Sequence, residues 1–178
     1  LNRSNLNGIR IYLLMNSIYL YDLILMICFN MKNIPYHSDH FYHWTKIDIR
    51  FRDLDPLNHV NNAVFNSYFE EARIDFIYQI PEFKASMESG NSFLLVHIEL
   101  DYIKPIHFPG AVLVGSSVDE YGNSSIKGIQ AIYSENSHQL KAVAKTTGVW
   151  FDLTKNHPVR LPEITHKEKF LFKGTDNG

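Results

Sequence analysis

Two carboxylates, an imidazole and three amides are concentrated in one short polar segment of this sequence. The segment reads Asp53-Leu54-Asp55-Pro56-Leu57-Asn58-His59-Val60-Asn61-Asn62. A carboxylate or an imidazole can serve as a general base or a nucleophile, so this composition suits an attack on a carbonyl group. The Asp-x-Asp-Pro pattern is also typical of a turn in which the two aspartates cap backbone N–H groups. From these residues alone, both interpretations stay open.

The polar segment lies between a predicted strand and a predicted helix. Residues 44–51 alternate between the two faces of a half-buried strand. After the segment, apolar residues recur at helical spacing, namely Val64, Phe65, Tyr68, Phe69, Ala72, Phe76 and Ile80. Asn61 or Asn62 is a favourable N-cap and Pro81 should end the helix, which is therefore predicted over 62–80. Its first turn would offer unpaired N–H groups that can stabilise an oxyanion.

The rest of the chain has the pattern of antiparallel strands. Four further strands are predicted over 96–102, 111–118, 125–133 and 140–151, with turn-forming residues before the last two. A single amphipathic helix beside these strands must bury its apolar stripe on one face of their sheet. The sequence therefore predicts an α+β fold in which a curved antiparallel sheet of about five strands wraps round one long helix.

Composition excludes several classes of function. The formal net charge is -2, so the chain lacks the basic excess of a nucleic-acid-binding domain. Cys28 is the single cysteine, which excludes an intramolecular disulfide framework and a cysteine-based zinc site and favours a reducing, cytoplasmic location. His37, His40 and His43 are spaced by three, but no helical pattern supports them, and we interpret them as a solvated lead-in. Neither a metal nor a cofactor is expected.

The first part of the chain differs from the rest. Residues 11–29 are nearly all apolar and approach the length of a membrane helix, although Asp22 would make insertion costly. Met31 is followed by a polar stretch that looks like an ordinary start. We therefore predict that 1–41 is an N-terminal extension outside the native fold, with a membrane anchor or an extra packed helix as alternatives. The main domain is predicted over 42–164, with 165–178 as a loose tail or short helix.

The polar segment and the helix after it resemble the hotdog-fold acyl-CoA thioesterases of the 4-hydroxybenzoyl-CoA thioesterase-like family. The family pattern is D-x-D, H-V-N-N, an aromatic residue and Y-x-E-x-A-R. It is matched here by Asp53, Asp55, His59, Val60, Asn61, Asn62, Phe65, Tyr68, Glu70, Ala72 and Arg73. One departure is Phe65, where tyrosine is commoner. The resemblance covers about residues 42–164, and residues 1–40 have no counterpart in it.

The resemblance implies hydrolysis of an acyl-CoA to a free acid and CoA by a homodimer or homotetramer. It implies that Asp55 is the general base or nucleophile, and that the backbone N–H of Asn62 polarises the thioester carbonyl. His59 would hydrogen-bond the thioester or brace the loop. Asp53 is expected to brace the loop, supported by the neighbouring amides of Asn58 and Asn61.

Other residues and functions leave alternatives open. Glu70 lies opposite the apolar stripe, three residues before Arg73, which favours a surface ion pair over a catalytic role. Lysines that could meet CoA phosphates are Lys104, Lys127, Lys141 and Lys145, with none singled out. An acyl-carrier-protein thioesterase would share the same site. A non-catalytic acyl-CoA-binding hotdog domain is the alternative from another class, and a dehydratase on the same fold ranks last.

Overall fold

A computed structural model of the protein describes residues 36–175. Its strands are β1 (His43–Asp48), β2 (Asn91–Tyr102), β3 (Ala111–Tyr121), β4 (Ser125–Ser134), β5 (Leu140–Asp152) and the two-residue β6 (His157–Pro158). They form one antiparallel sheet in the order β1-β3-β4-β5-β2, and β6 pairs with β5. The predicted sheet of five main strands is confirmed, and β6 is an addition to it.

Helix α1 (Asn62–Tyr78) packs on one face of this curled sheet. Its apolar stripe is almost completely buried, because Phe65, Tyr68, Phe69 and Ala72 are each at most 2% exposed. They pack against β3, β4 and β5 residues such as Val112, Ile132 and Ala144 in one core cluster. Burial of this stripe is the main hydrophobic contribution that fixes α1 on the sheet. The hotdog-type α+β fold predicted from the sequence is confirmed.

The single long helix predicted over 62–80 is followed by a second, unpredicted helix. Helix α1 ends at Tyr78, and Pro81 begins a second helix, α2 (Pro81–Glu88), instead of only ending the first. Proline is favourable at the first position of a helix, because the N–H that it lacks would have no partner there. Helix α2 buries Phe83 against Trp150 of β5, with ring centroids 4.9 Å apart. The sheet therefore carries two helices.

The packed unit extends past both predicted boundaries of the 42–164 domain. On the N-terminal side Phe41 is buried, and its ring centroid lies 5.0 Å from that of Phe172. Residues after 164 form two short 3₁₀ turns, Lys167–Phe170 and Lys173–Thr175, between which Phe172 is buried. The short-helix interpretation of the C-terminal segment thus fits better than the loose tail, while the domain limits themselves stay predictions.

His43 departs from its predicted place in a solvated lead-in. It is the first residue of β1, and its Nε2 lies 2.8 Å from Asp75 Oδ2 on α1. Thr45 donates a hydrogen bond of 2.7 Å to the same carboxylate oxygen. Strand β1 and helix α1 are therefore joined by polar contacts as well as by the apolar core.

Strand β2 lies at one edge of the sheet. A β-bulge between Leu95 and His97 shifts its register against β5, and Val96 at the bulge is 61% exposed. Leu94 and Leu95 are also exposed. Among the described residues, no strand pairs with the outer side of β2.

The apolar run over 11–29 and Cys28 lie outside the described residues. Within 36–175, no helix is long and apolar enough to cross a membrane.

Candidate active site

The polar segment folds into a narrow loop that is closed at its base by backbone hydrogen bonds. The N–H of Asn61 donates to the carbonyl of Asp53 at 2.8 Å. Leu54 and Val60 form an antiparallel bridge one step further along. Val60 in turn donates its N–H to the carbonyl of Ile106 at 2.9 Å, which ties the loop to the segment between β2 and β3. The loop therefore carries its polar side chains on a fixed backbone.

Asp55 lies at the tip of this loop and keeps one carboxylate oxygen free. Its Oδ1 accepts the N–H groups of Leu57 at 2.8 Å and His59 at 3.1 Å. Within residues 36–175, Oδ2 accepts no hydrogen bond, and the side chain is partly exposed. Asn58 closes the turn with φ 63°, a left-handed conformation that asparagine tolerates better than most residues. The arrangement orients a carboxylate and leaves it able to accept a proton or attack an electrophile.

Asp53 lies at the base of the loop in the opposite environment. Its side chain is 3% exposed, and its carboxylate accepts bonds from the Arg50 N–H at 2.9 Å, Arg50 Nε at 3.1 Å and the Tyr68 hydroxyl at 2.7 Å. Burial alone would raise the pKa of Asp53, but the hydrogen bonds from Arg50 and Tyr68 outweigh it and hold that pKa below its usual value. Burial and the contact with Asp53 raise the pKa of Tyr68.

The N-terminus of α1 adjoins the base of the loop. Asn61 is the N-cap, and its Oδ1 accepts the N–H of Ala63 at 2.9 Å. The N–H of Asn62 has no acceptor among the described residues, as expected for the first residue of a helix. Tyr102 of β2 donates its hydroxyl to the carbonyl of Asn62 at 3.1 Å. The site therefore contains a fixed N–H donor that a developing oxyanion could use.

A second imidazole lies beside His59. The ring centroids of His59 and His107 are 4.7 Å apart in an edge-to-face arrangement. His107 is separated from the polar segment by 45 or more residues in the sequence. Only the backbone contact between Val60 and Ile106 brings the two segments together. No local sequence signal could have revealed this neighbour.

The predicted surface ion pair between Glu70 and Arg73 is wrong. Glu70 is exposed, and no carboxylate lies within salt-bridge distance of Arg73 among the described residues. Arg73 is instead half-buried, with Nη1 3.5 Å from Gln130 Oε1 on β4. Burial lowers the pKa of Arg73, and the charge of Glu70 partly opposes this effect. Helical spacing alone could not distinguish a side chain on the solvent face from one turned toward the sheet.

A pocket opens between the C-terminal half of α1 and the sheet. It encloses about 380 Å³ of space between atoms, including its open mouth. Its lining is mostly apolar and consists of Arg73, Phe76, Ile77, Phe83, Phe93, Ser117, Val118, Ile126, Gly128, Gln130 and Thr146. The ring of Phe93 lies directly over Gly148, where an added Cβ would come within 1.7 Å of the ring. The pocket could hold an apolar group but offers little to a strongly hydrated one.

Potential ligands for ions are scattered over the described part of the chain. No group of three or more histidine, cysteine, aspartate or glutamate side chains there could hold a metal ion. Of the lysines considered for phosphate binding, Lys127 is paired with Glu120. Lys141 donates to the carbonyl of Pro105 and to the side chain of Gln139. The geometry therefore does not single out a phosphate site.

Comparisons with known proteins agree on one family. The family model described as the thioesterase-like superfamily matches residues 49–168. The chain is 30% identical over 130 residues to the long-chain acyl-CoA thioesterase FadM of Escherichia coli, covering 72% of this chain and 98% of that protein. It is 24% identical over 137 residues to the acyl-acyl carrier protein thioesterase ATL3 of Arabidopsis thaliana, covering 76% of this chain and 72% of that protein.

A solved structure gives the same result. The fold matches a thioesterase of Thermus thermophilus, whose crystal structure contains coenzyme A and zinc, with a TM-score of 0.60 and 37% sequence identity. The match covers 70% of this chain and 94% of that one.

Proposed function

The chain belongs to the thioesterase-like superfamily and is a thioester hydrolase, and from this premise we propose that it cleaves acyl-CoA to a free acid and CoA with Asp55 as the reacting carboxylate. The observation that carries the proposal is that, among the described residues, Asp55 Oδ2 accepts no hydrogen bond on a fixed loop, and this loop leads into a helix whose first N–H, that of Asn62, has no acceptor. These are the two groups that hydrolysis of a thioester needs, namely a base or nucleophile and an oxyanion donor.

In the general-base form of the reaction, Asp55 Oδ2 takes a proton from water. The water oxygen bonds to the thioester carbonyl carbon, and the carbonyl oxygen becomes an oxyanion that accepts the Asn62 N–H. The C–S bond then breaks, and the sulfur leaves as thiolate and takes up a proton. In the nucleophilic form, Asp55 itself bonds to the carbonyl carbon and expels the thiolate, and water then hydrolyses the resulting anhydride. Both forms use the same atoms of the chain.

His59 is proposed to support Asp55. Its backbone N–H holds Asp55 Oδ1, while its backbone carbonyl accepts the Asp55 N–H at 2.8 Å. These bonds fix Oδ1 and the backbone of Asp55, and Oδ2 accepts no hydrogen bond among the described residues. The imidazole of His59 packs edge-to-face on the ring of His107, and this contact restricts its orientation.

The proposed substrate is a long-chain acyl-CoA. FadM, a long-chain acyl-CoA thioesterase, aligns with this chain over 98% of its own length. The apolar pocket is compatible with a long chain, because Arg73 and Phe76 lie 11 and 14 residues beyond Asn62, which corresponds to roughly 16–21 Å along a helix. Only a long chain would reach from the helix N-terminus to that pocket.

The alternative substrate is an acyl group on acyl carrier protein, as in the name of ATL3. Purified protein should be assayed with acyl-CoAs of increasing chain length and with the same acyl groups on acyl carrier protein. We expect hydrolysis of acyl-CoA to rise with chain length. Higher kcat/KM on the carrier-protein thioesters would favour the alternative, and tight acyl-CoA binding without turnover would identify a binding domain instead.

The pocket can be tested with a matched pair of substitutions. Val118→Ile adds one methylene inside the pocket, whereas Val143→Ile adds it to the core cluster that contains Phe41 and Phe172. A methylene in a hydrophobic pocket changes discrimination by roughly 10–200-fold. We expect Val118→Ile to lower kcat/KM for long chains and spare short ones, with no such selectivity in Val143→Ile. If Val118→Ile lowers kcat/KM equally for all chain lengths, the pocket does not bind the acyl chain.

The enzyme is also proposed to be at least a homodimer. Strand β2 has 12 residues, among them the exposed Leu94, Leu95 and Val96, and no strand of residues 36–175 pairs with its outer edge. Soluble proteins rarely leave such an edge uncovered, because its N–H and C=O groups invite pairing with another chain. A second copy could cover it by pairing edge to edge. Light scattering at micromolar concentration should give a multiple of the monomer mass, and a monomeric mass would contradict this proposal.

A further inference from the structure

The base of the loop is hydrogen-bonded to the interior of α1 through the hydroxyl group of Tyr68. Tyr68 lies in the second turn of α1, is completely buried, and donates to Asp53 Oδ2 at 2.7 Å. The other side-chain donor to this carboxylate is Arg50, whose side chain is 47% exposed. Tyr68 is therefore the donor that the fold holds most rigidly, because its ring is surrounded by the core cluster between α1 and the sheet.

The backbone of Asp53 links Tyr68 to the rest of the loop. The carbonyl of Asp53 accepts the N–H of Asn61, so the same residue is bonded to α1 by its side chain and to the helix N-cap by its main chain. Asp55 follows two residues later, inside the bridge between Leu54 and Val60. A shift of Asp53 would therefore move both ends of the loop, and with them Asp55 relative to the N–H of Asn62.

We infer that Tyr68 is a positioning residue for thioester hydrolysis, acting through Asp53 to hold Asp55 in register with the N-terminus of α1. The inference rests on the proposed role of Asp55. Among the described residues, Tyr68 makes no hydrogen bond to either proposed reacting group, and its hydroxyl donates to Asp53 instead. Its contribution is geometric, since small displacements of a reacting group from its productive position cost large factors in rate.

The hydroxyl, and not the ring, is the relevant group. Phenylalanine at this position would fill the same space and would keep the apolar stripe of α1 intact. It would leave the buried carboxylate of Asp53 with only the Arg50 donors. Losing one donor to a buried charge is costly, and the loop can recover the loss only by moving Asp53 toward solvent.

The test compares Tyr68→Phe with Tyr133→Phe. Tyr133 is a second buried tyrosine whose hydroxyl donates to the carbonyl of Tyr36, in a cluster that contains no loop residue. Both variants lose one hydroxyl and keep the ring. We expect Tyr68→Phe to lower kcat roughly tenfold with little change in KM, while Tyr133→Phe keeps wild-type kcat. Equal kcat in the two variants would overturn the inference.

A double-mutant cycle identifies the route. If Tyr68 acts through Asp53, Tyr68→Phe should lower kcat far less in the Asp53→Asn background than in the wild type. Fully additive losses would show that Tyr68 acts by another path. If either single variant fails to fold, the other one still tests the same hydrogen bond from its own side, by its kcat relative to Tyr133→Phe.

Hydrogen exchange separates this inference from the proposed function. The amides of Asp55 and Asn61 are bonded inside the loop, so Tyr68→Phe should accelerate their exchange and leave the amides of β4 unchanged. This measurement does not depend on turnover. If the wild type hydrolyses no thioester but the loop amides respond, the proposed function fails, and with it the role in hydrolysis, while the structural part of the inference, that Tyr68 fixes the loop through Asp53, is supported. Unchanged loop exchange would overturn the positioning role whatever the activity.

Discussion

The two carboxylates of the loop are two residues apart in the chain and opposite in environment. Asp53 is 3% exposed and receives side-chain and backbone donors, whereas Asp55 is partly exposed and receives only backbone N–H groups on one of its two oxygens. A buried carboxylate with both oxygens hydrogen-bonded is suited to holding structure. One with a free oxygen is suited to accepting a proton. The contrast teaches that identical residue types in one motif can divide support and reaction between them.

The largest effect should come from removing the charge at the tip of the loop. Asp55→Asn should lower kcat by roughly 10²–10⁴-fold, the range typical of general acid–base groups, with the thermal midpoint nearly unchanged. Steady-state kinetics beside circular dichroism check both halves of this statement. The comparison breaks if Asp55→Asn keeps near-normal kcat while Asp53→Asn, still folded, abolishes it.

The next effect concerns the donor beside the base of the loop. Asn62→Pro removes the backbone N–H at a position where proline is tolerated, and Asn62→Ala removes only the side-chain amide. Loss of one oxyanion donor costs on the order of 10²–10³ in kcat, so the proline variant should be crippled and the alanine variant much less affected.

Proline at 62 also restricts Asn61, so circular dichroism and substrate affinity must accompany kcat in this comparison. Similar losses in two folded variants would mean that the side chain of Asn62 is the important group.

A smaller effect should separate the two acids in stability. Asp53→Asn should cost about 1–3 kcal/mol of unfolding free energy near neutral pH, because it disrupts a buried, hydrogen-bonded charge. The folded-state pKa of Asp53 is lowered, so its contribution is present above the unfolded value of about 3.9 and is lost as the pH falls through the folded value. Urea unfolding should therefore show the gap between wild type and variant narrowing below about pH 4.

Asp55→Asn serves as the matched control for this acid dependence. The free energy of unfolding of Asp55→Asn should differ little from that of the wild type at neutral pH, because only backbone donors on a partly exposed group are involved. If the difference in unfolding free energy between the wild type and Asp53→Asn does not change on acidification, Asp53 is not the acid that holds the loop.

The smallest effect is at the turn itself. Asn58 has φ 63°, a conformation that costs alanine roughly 1–2 kcal/mol and glycine little. Asn58→Ala should therefore lower the unfolding free energy by up to that amount, whereas Asn58→Gly should be nearly neutral. Chemical denaturation of both variants is the measurement. If alanine is tolerated as well as glycine, the conformation of the turn is not what selects asparagine.

The fold was predictable because its signals are periodic and local. Alternation identified the strands, and the apolar stripe identified α1 together with its start at Asn62. The sequence does not predict helix α2, because Pro81 indicates the end of one helix as readily as the start of the next. The bulge before His97 follows from pairing with β5 and has no local signature.

The site was predictable only as a segment. Residue types and the family pattern placed the candidate groups between Asp53 and Asn62, but not the contacts that distinguish them. The sequence does not predict the hydrogen bond from Tyr68 to Asp53, because Tyr68 fits the apolar stripe of the helix like its neighbours. His107 and Arg73 reach their places through tertiary packing, the first beside His59 and the second beside Gln130. These contacts join residues that are far apart in the sequence, so a local motif cannot predict them.

The closeness of Phe93 and Gly148 makes these two positions genetically coupled. Any side chain at 148 must displace the ring of Phe93, because the added Cβ would fall within 1.7 Å of it. Since Phe93 lines the pocket, a change at 148 would also reshape the pocket. In a mutant library, substitutions at 148 should therefore survive mainly together with a smaller residue at 93. Selection for a different substrate length would then act on two distant codons as one unit of variation.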